Sequence, residues 1–154
     1  MKIALLAVAF LSMVSYANAS KTSTGTGSFT ATSNVVNMRS AGPNTVFDSK
    51  VSFTATGFFT GTCDGTSHSV SLLNGRSTSH GSCTFTGSIG DKSGTVIFRL
   101  QVTGEGASFQ GRFVGGQGSG DLAGAHITGT FQGKGTSVTT SAGTYSANVQ
   151  FSTS

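Results

Sequence analysis

The chain contains no tryptophan and one proline, and Asp, Glu, Lys and Arg together make up only 9% of its 154 residues. Charged residues usually account for about 25% of a globular protein, so solubility must rest on Ser, Thr, Gly and Asn. The net charge of +4 comes from basic residues scattered between Lys2 and Lys134. No cluster forms the stripe that follows nucleic-acid phosphates, which excludes nucleic acid as a partner. Two cysteines and three histidines provide no run of ligands at metal-binding spacing, and no metal is expected. No apolar run reaches the roughly 20 residues of a membrane-spanning helix. The longest, Ile3 to Val14, lies at the N-terminus.

That run follows Lys2 and ends in the small residues Ala17 and Ala19, the pattern of a secretory signal peptide. Residues 1–19 are therefore expected to be removed, with no cysteine at the cleavage point to carry a lipid. Residues 20–154 have the size of one domain, and the expected location is secreted or periplasmic. In an oxidising compartment an even cysteine count reads as one disulfide, between Cys63 and Cys83. Closing a loop of about 20 residues stabilises a fold by roughly 3 kcal/mol in the chain-entropy account. A free catalytic thiol would need an acid–base partner that the neighbouring sequence does not supply.

What the sequence does have is Gly, Ser, Thr and Phe, arranged with a period of two. In "GTVIFRLQVTG" (94–104), Val96, Phe98, Leu100 and Val102 share one face and Ile97, Arg99, Gln101 and Thr103 the other. In "TYSANVQF" (144–151), Tyr145, Ala147, Val149 and Phe151 alternate with polar residues. Weaker strands are expected at 28–33, 50–61, 67–73, 82–89, 107–115 and 125–133. "NVVNMRSAGPNT" (34–45) carries the proline and reads as a loop or irregular edge. About eight short strands with no crossover helix predict an all-β domain, a small antiparallel β-barrel with a β-sandwich as the alternative. Gly57, Gly111 and Gly129 within strands suit the bends of a small barrel.

"GSGDLA" (118–123) satisfies the glycine pattern of a dinucleotide loop. That loop works only between a strand and a helix whose N-terminus faces the pyrophosphate. Here "AHITGTFQG" (125–133) follows with strand alternation, and no acid appears about 20 residues on to hold a ribose. The glycines read as a connection between antiparallel strands, and no cofactor is expected.

The segment from Cys83 to Phe131, with Phe85, Gly87, Gly90, Gly94 and Thr95, the run Gly118–Gly124, and then Gly143 and Tyr145, resembles the DUF3224 family, whose members look like the allene oxide cyclase barrel. The resemblance implies an eight-stranded antiparallel barrel with room for a small ligand. Allene oxide cyclases use an acidic residue and ordered water in such a cavity, and no motif carrying those groups matches here.

The candidates for chemistry are His68, His80 and His126, with Asp48, Asp64, Asp91, Glu105 and Asp121. They form no catalytic spacing, and the catalytic set, if any, is unknown. Asp64, Asp91 and Glu105 sit beside glycines and read as turn residues; Asp121 and His126 read as surface groups. His68 and His80 lie near the cysteines in sequence, but a disulfide removes both thiolates from any mixed metal site. Recurring "FTGT", "FTGS" and "ITGTF" lack the fixed period of a solenoid. Three readings of function follow: a barrel binding a small apolar molecule, a cyclase- or isomerase-like enzyme in the same cavity, and a structural or surface-interaction protein. The scarcity of ionisable groups weighs against an enzyme.

Overall fold

The computed structural model describes residues 21–152; the expected signal peptide, residues 1–19, lies outside them. Eight strands follow one another: β1 (Thr22–Ala41), β2 (Asn44–Gly57), β3 (Phe59–Ser71), β4 (Arg76–Ile89), β5 (Lys92–Glu105), β6 (Ser108–Gly120), β7 (Ala125–Gly135) and β8 (Thr140–Phe151). Each pairs antiparallel with its neighbours in sequence, and β1 pairs with β8 to close the barrel. The β-sandwich alternative is thereby set aside. The turns after β2, β4 and β6 meet at one end together with both described ends of the chain, here called the base. The turns after β1, β3, β5 and β7 meet at the other end, the mouth.

Period-two alternation puts the apolar set inside. Phe59 and Cys63 on β3, Cys83 and Phe85 on β4, Val96 and Phe98 on β5, and Tyr145, Ala147 and Val149 on β8 are buried. Residues between them face out, mostly Thr, Ser and Gln. An outer wall of this composition is the reverse of a membrane barrel, which turns apolar residues to lipid. No helix among the described residues is long and apolar enough to cross a membrane.

The base is plugged by Phe59, Ile89 and Ala125, with fully buried Leu122 folding in from the β6–β7 turn. Above it, a mesh of phenylalanines fills the middle, with Phe98 and Phe113 edge-to-face at 5.4 Å and Phe59 stacked on Tyr145 at 4.9 Å. Burying each such ring is worth about 1.5–3 kcal/mol. Phe29, Phe109, Phe113 and Phe131 fit because the strand beside each of them carries an inward glycine. A Cβ on Gly111 would run into the Phe131 ring, one on Gly129 into Phe113, one on Gly133 into Phe109, and one on Gly143 into Phe29. Glycine within a strand costs order, yet here it provides the volume that the neighbouring aromatic occupies.

Tyr145 ties the base together. Its buried hydroxyl accepts a hydrogen bond from the Phe59 N–H at 2.7 Å and donates to the Thr56 carbonyl at 3.0 Å. Both partners flank the β2–β3 connection, where Gly57 has φ +98 and a Cβ would meet the β1 backbone. Burial pushes the Tyr145 hydroxyl above the ordinary tyrosine pKa, and the Phe59 N–H pulls it partly back.

The strands differ from expectation most in three places, and β4 also begins at Arg76 rather than at 82. Residues 34–41 are the outer part of β1, paired with 44–50 of β2 around a turn at Gly42 and Pro43. The proline sits at the hairpin tip, where its missing N–H breaks no ladder bond. The run 50–61 is two strands, because Gly57 and Phe58 turn the chain, and 59–71 is one continuous strand. Strand β6 extends to Gly120, carrying an irregularity opposite Val96 with Gln117 at φ +53, and the turn proper is 121–124. No helix follows these glycines, which disposes of the dinucleotide pattern.

Candidate functional site

Two places bring unusual residues together, the interior below the mouth and a row on the outer wall. Inside, a cavity of about 80 Å³ lies among Phe29, Phe53, Phe85, Phe98 and Leu100, with the Cys63–Cys83 disulfide in its wall. The two cysteines come from adjacent strands, and both sulfurs are inside the barrel, away from solvent. The closed disulfide fits a non-cytoplasmic environment.

The cavity is the lower part of an incompletely filled mouth. Phe53, Leu100, Val102 and Phe109 face inward but are only partly buried. Between β2, which carries Phe53, and β5, which carries Leu100 and Val102, the inward positions of β3 and β4 nearest the mouth are serines, namely Ser67, Ser69, Ser71, Ser77 and Ser79. Ser69 donates to Ser79 across the pair at 2.9 Å, and buried Ser49 on β2 stands opposite Ser67. The interior thus runs from an all-apolar floor to an uncharged hydroxyl wall.

No described Asp, Glu or His belongs to an inward position. Asp64 lies mid-strand on β3, not in a turn as its glycine neighbour implied, and accepts from the Ser52 hydroxyl on the outer face. Asp91 is in the β4–β5 turn, and Glu105 ends β5 beside Arg76 at 4.0 Å. Asp121 accepts from the Ser93 N–H at 3.4 Å, and His126 bonds Ser152. The acid–base pair that an enzymatic cavity needs therefore has no member inside among these residues.

The barrel does join three candidates that the sequence leaves apart. Asp48, His68 and His80 stand directly opposite one another on the outer faces of β2, β3 and β4. His68 Nδ1 lies 2.6 Å from Asp48 Oδ1, and the His68 and His80 rings are 5.4 Å apart between centroids. An ionised carboxylate only accepts, so Nδ1 of His68 carries the hydrogen. The Asp48 carboxyl is held below the ordinary aspartate pKa, first by the His68 hydrogen bond and then by that of Asn37. The row continues through Gln101, opposite His80, whose Oε1 accepts from Arg112 Nε at 2.8 Å. The signal for this row was present in the sequence: His68 and His80 are equidistant from Asn74 in the β3–β4 hairpin, and Asp48 and His68 from Phe58.

A solved structure of a protein with unknown function from the DUF3224 family of Shewanella oneidensis MR-1 superimposes with a TM-score of 0.69 over 87% of this chain and 100% of that one, at 15% identity. The chain has the fold of a DUF3224 protein. The family resemblance read from the glycine turns and the terminal Tyr145 strand is thus borne out at the level of the barrel. No protein-family profile and no curated protein matches the sequence. The shared barrel fold assigns the mouth no ligand.

Proposed function

We propose that this protein is a secreted or periplasmic container, a barrel that holds a small amphipathic molecule through its mouth with the apolar end on the phenylalanine floor. The observation that carries this reading is the apolar cavity of about 80 Å³ continuing into a mouth whose inward Phe53, Leu100 and Val102 stay partly exposed. Ordinary ligand pockets are roughly 300–1,000 Å³, so the cavity alone takes only the end of a ligand. With a water's share of liquid at about 30 Å³, it has room for two or three methylene-sized groups. At about 0.8 kcal/mol per buried CH₂ that is roughly 2 kcal/mol, or about thirty-fold in affinity.

The rest of the binding energy comes from the mouth. Its hydroxyl wall favours a polar head, and among the described residues no charged side chain occupies an inward position to pair with an ionised one. The ligand class is therefore a neutral molecule with a short apolar end, such as an alcohol or ester. The N-terminal leader pattern and the internal disulfide support delivery to an oxidising compartment. The test is displacement of a neutral environment-sensitive dye by a series of straight-chain alcohols and the matching carboxylates. Ala55 also lines the cavity, so saturable displacement by the alcohols, weaker displacement by the carboxylates, and loss of both in an Ala55→Leu variant that fills the floor are expected. A dye that never binds, or displacement unaffected by filling the floor, refutes the reading.

A further inference from the structure

We propose that the outer row Asp48–His68–His80 is a surface site for a divalent transition-metal ion, with His68 and His80 as its two protein ligands and Asp48 as the group that orients His68. Imidazole is a ligand of choice for Cu²⁺, Ni²⁺ and Zn²⁺. The two rings sit on adjacent strands at directly paired positions, so the sheet fixes their separation before any metal arrives. An imidazole nitrogen lies about 1.1 Å from its ring centre and a metal–nitrogen bond is about 2.0–2.1 Å, which puts a shared ion roughly 3.2 Å from each centre. With centres 5.4 Å apart, the angle at the metal is then roughly 115°, close to tetrahedral.

Asp48 orients His68. Metal-bound histidines usually donate their other ring N–H to a carboxylate, which fixes the tautomer and raises the basicity of the ligating nitrogen. His68 already makes that bond at 2.6 Å, and in the neutral imidazole with its hydrogen on Nδ1 the other nitrogen, Nε2, is the one with a lone pair for a metal. Asn37 steadies the far carboxylate oxygen at 3.3 Å. The arrangement is thus a carboxylate–histidine pair with a second histidine beside it. No third His, Cys, Asp or Glu among the described residues completes a closed site. Two protein ligands leave the remaining positions to water or an external ligand, so the site is exchangeable and exposed, with the Asp48 and His68 side chains 42% and 39% accessible.

Two other features bear on selectivity. Affinity at such an open nitrogen site follows the general order in which Cu²⁺ exceeds Ni²⁺ and Zn²⁺. His126 is hydrogen-bonded to Ser152 near the base, away from the row, and has no histidine opposite it, since its β8 partner is Gln150. It therefore serves as an internal control.

The experiment is titration of the disulfide-intact protein with Cu²⁺ and Zn²⁺ in a non-coordinating buffer, followed calorimetrically, with electron paramagnetic resonance of the copper form. One saturable equivalent, tighter for Cu²⁺, and a copper signal split by two imidazole nitrogens are expected. His80→Ala should abolish that equivalent, Asp48→Asn should weaken it by 10- to 100-fold, and His126→Ala should leave it unchanged. All three positions are on the outer wall, and far-ultraviolet circular dichroism verifies that the barrel persists. Retention of the equivalent in His80→Ala, equal affinity in Asp48→Asn, or absence of saturable binding in the parent overturns the proposal.

Discussion

Replacing Tyr145 by Phe removes one oxygen from the base of the barrel and tests how much of the fold hangs on it. The ring should remain stacked on Phe59, 4.9 Å away. Lost are the hydrogen bond from the Phe59 N–H at 2.7 Å and the one to the Thr56 carbonyl at 3.0 Å. A buried donor left without a partner costs about 1–3 kcal/mol, and an ordinary hydrogen bond is worth about 0.5–1.5. The expected loss is therefore about 2–3 kcal/mol. With a urea m-value of about 1–3 kcal/mol/M for a domain of this size, the unfolding midpoint should fall by roughly 0.7–3 M with m unchanged. A loss under about 0.5 kcal/mol would refute the reasoning, because the Phe59 N–H would then have found another partner.

The same hydroxyl gives the parent protein an alkaline signature. Its pKa is raised in the folded state, so folding holds the proton more tightly than the unfolded chain does. The resulting stability is complete below the unfolded value near about 10 and declines as pH rises through the folded value. Lysines titrate in both proteins, but this additional alkaline loss should vanish in Tyr145→Phe. Because the chain has no tryptophan and Tyr145 is the one tyrosine beyond residue 19, tyrosinate absorbance follows the group directly.

Three further outcomes are expected. Reducing Cys63–Cys83, or replacing both by Ala, should lower unfolding stability by about 3 kcal/mol, with the Ala pair slightly worse because it also enlarges the cavity; denaturant melts with and without reductant measure this. Gly129→Val should destabilise by about 1–3 kcal/mol or more by driving a side chain into the Phe113 ring, and adding Phe113→Leu should recover part of the loss, a coupling that a double-mutant cycle reads. Asp48 should titrate higher in His68→Ala or Asn37→Ala, as carboxyl-carbon NMR would register. Because its pKa is depressed in the parent, the stability it adds is present above the ordinary aspartate value and lost as pH falls through the folded one.

The sequence was legible where the inward residue of a strand is large. β5 and β8 carry Val, Phe and Tyr at every second position, and their alternation was plain. β1 before Phe29 has Gly25 and Gly27 on its inner face, and β3 has Gly61 and Gly65. These positions read as breaks, because the space beside them is taken from elsewhere in the chain: by the Phe58 and Tyr145 side chains at Gly25 and Gly27, and by the close approach of the β4 backbone at Gly61 and Gly65. Residues 34–41 were obscured differently: Val35, Val36 and Met38 are exposed, and the strand shifts register between Val35 and Asn37, so neither face is uniform. The candidate sites were hidden by the same non-locality. The serine wall has no hydrophobic period, and Asp48, His68 and His80 meet only once two hairpins are set in register.

The strand order has a consequence for how the chain can be rewired. Every strand lies beside its sequence neighbours, and Thr22 stands opposite Gln150 where β1 closes on β8. The described residues therefore begin and end at one seam no different in kind from the other seven. Joining residues 21 and 152 by a short linker and cutting instead at an exposed mouth turn, such as Gly106–Ala107 or Thr136–Thr139, would leave all eight ladders available. Such a circular permutant should fold to the same barrel, with a different pair of strands making the last and most distant closure.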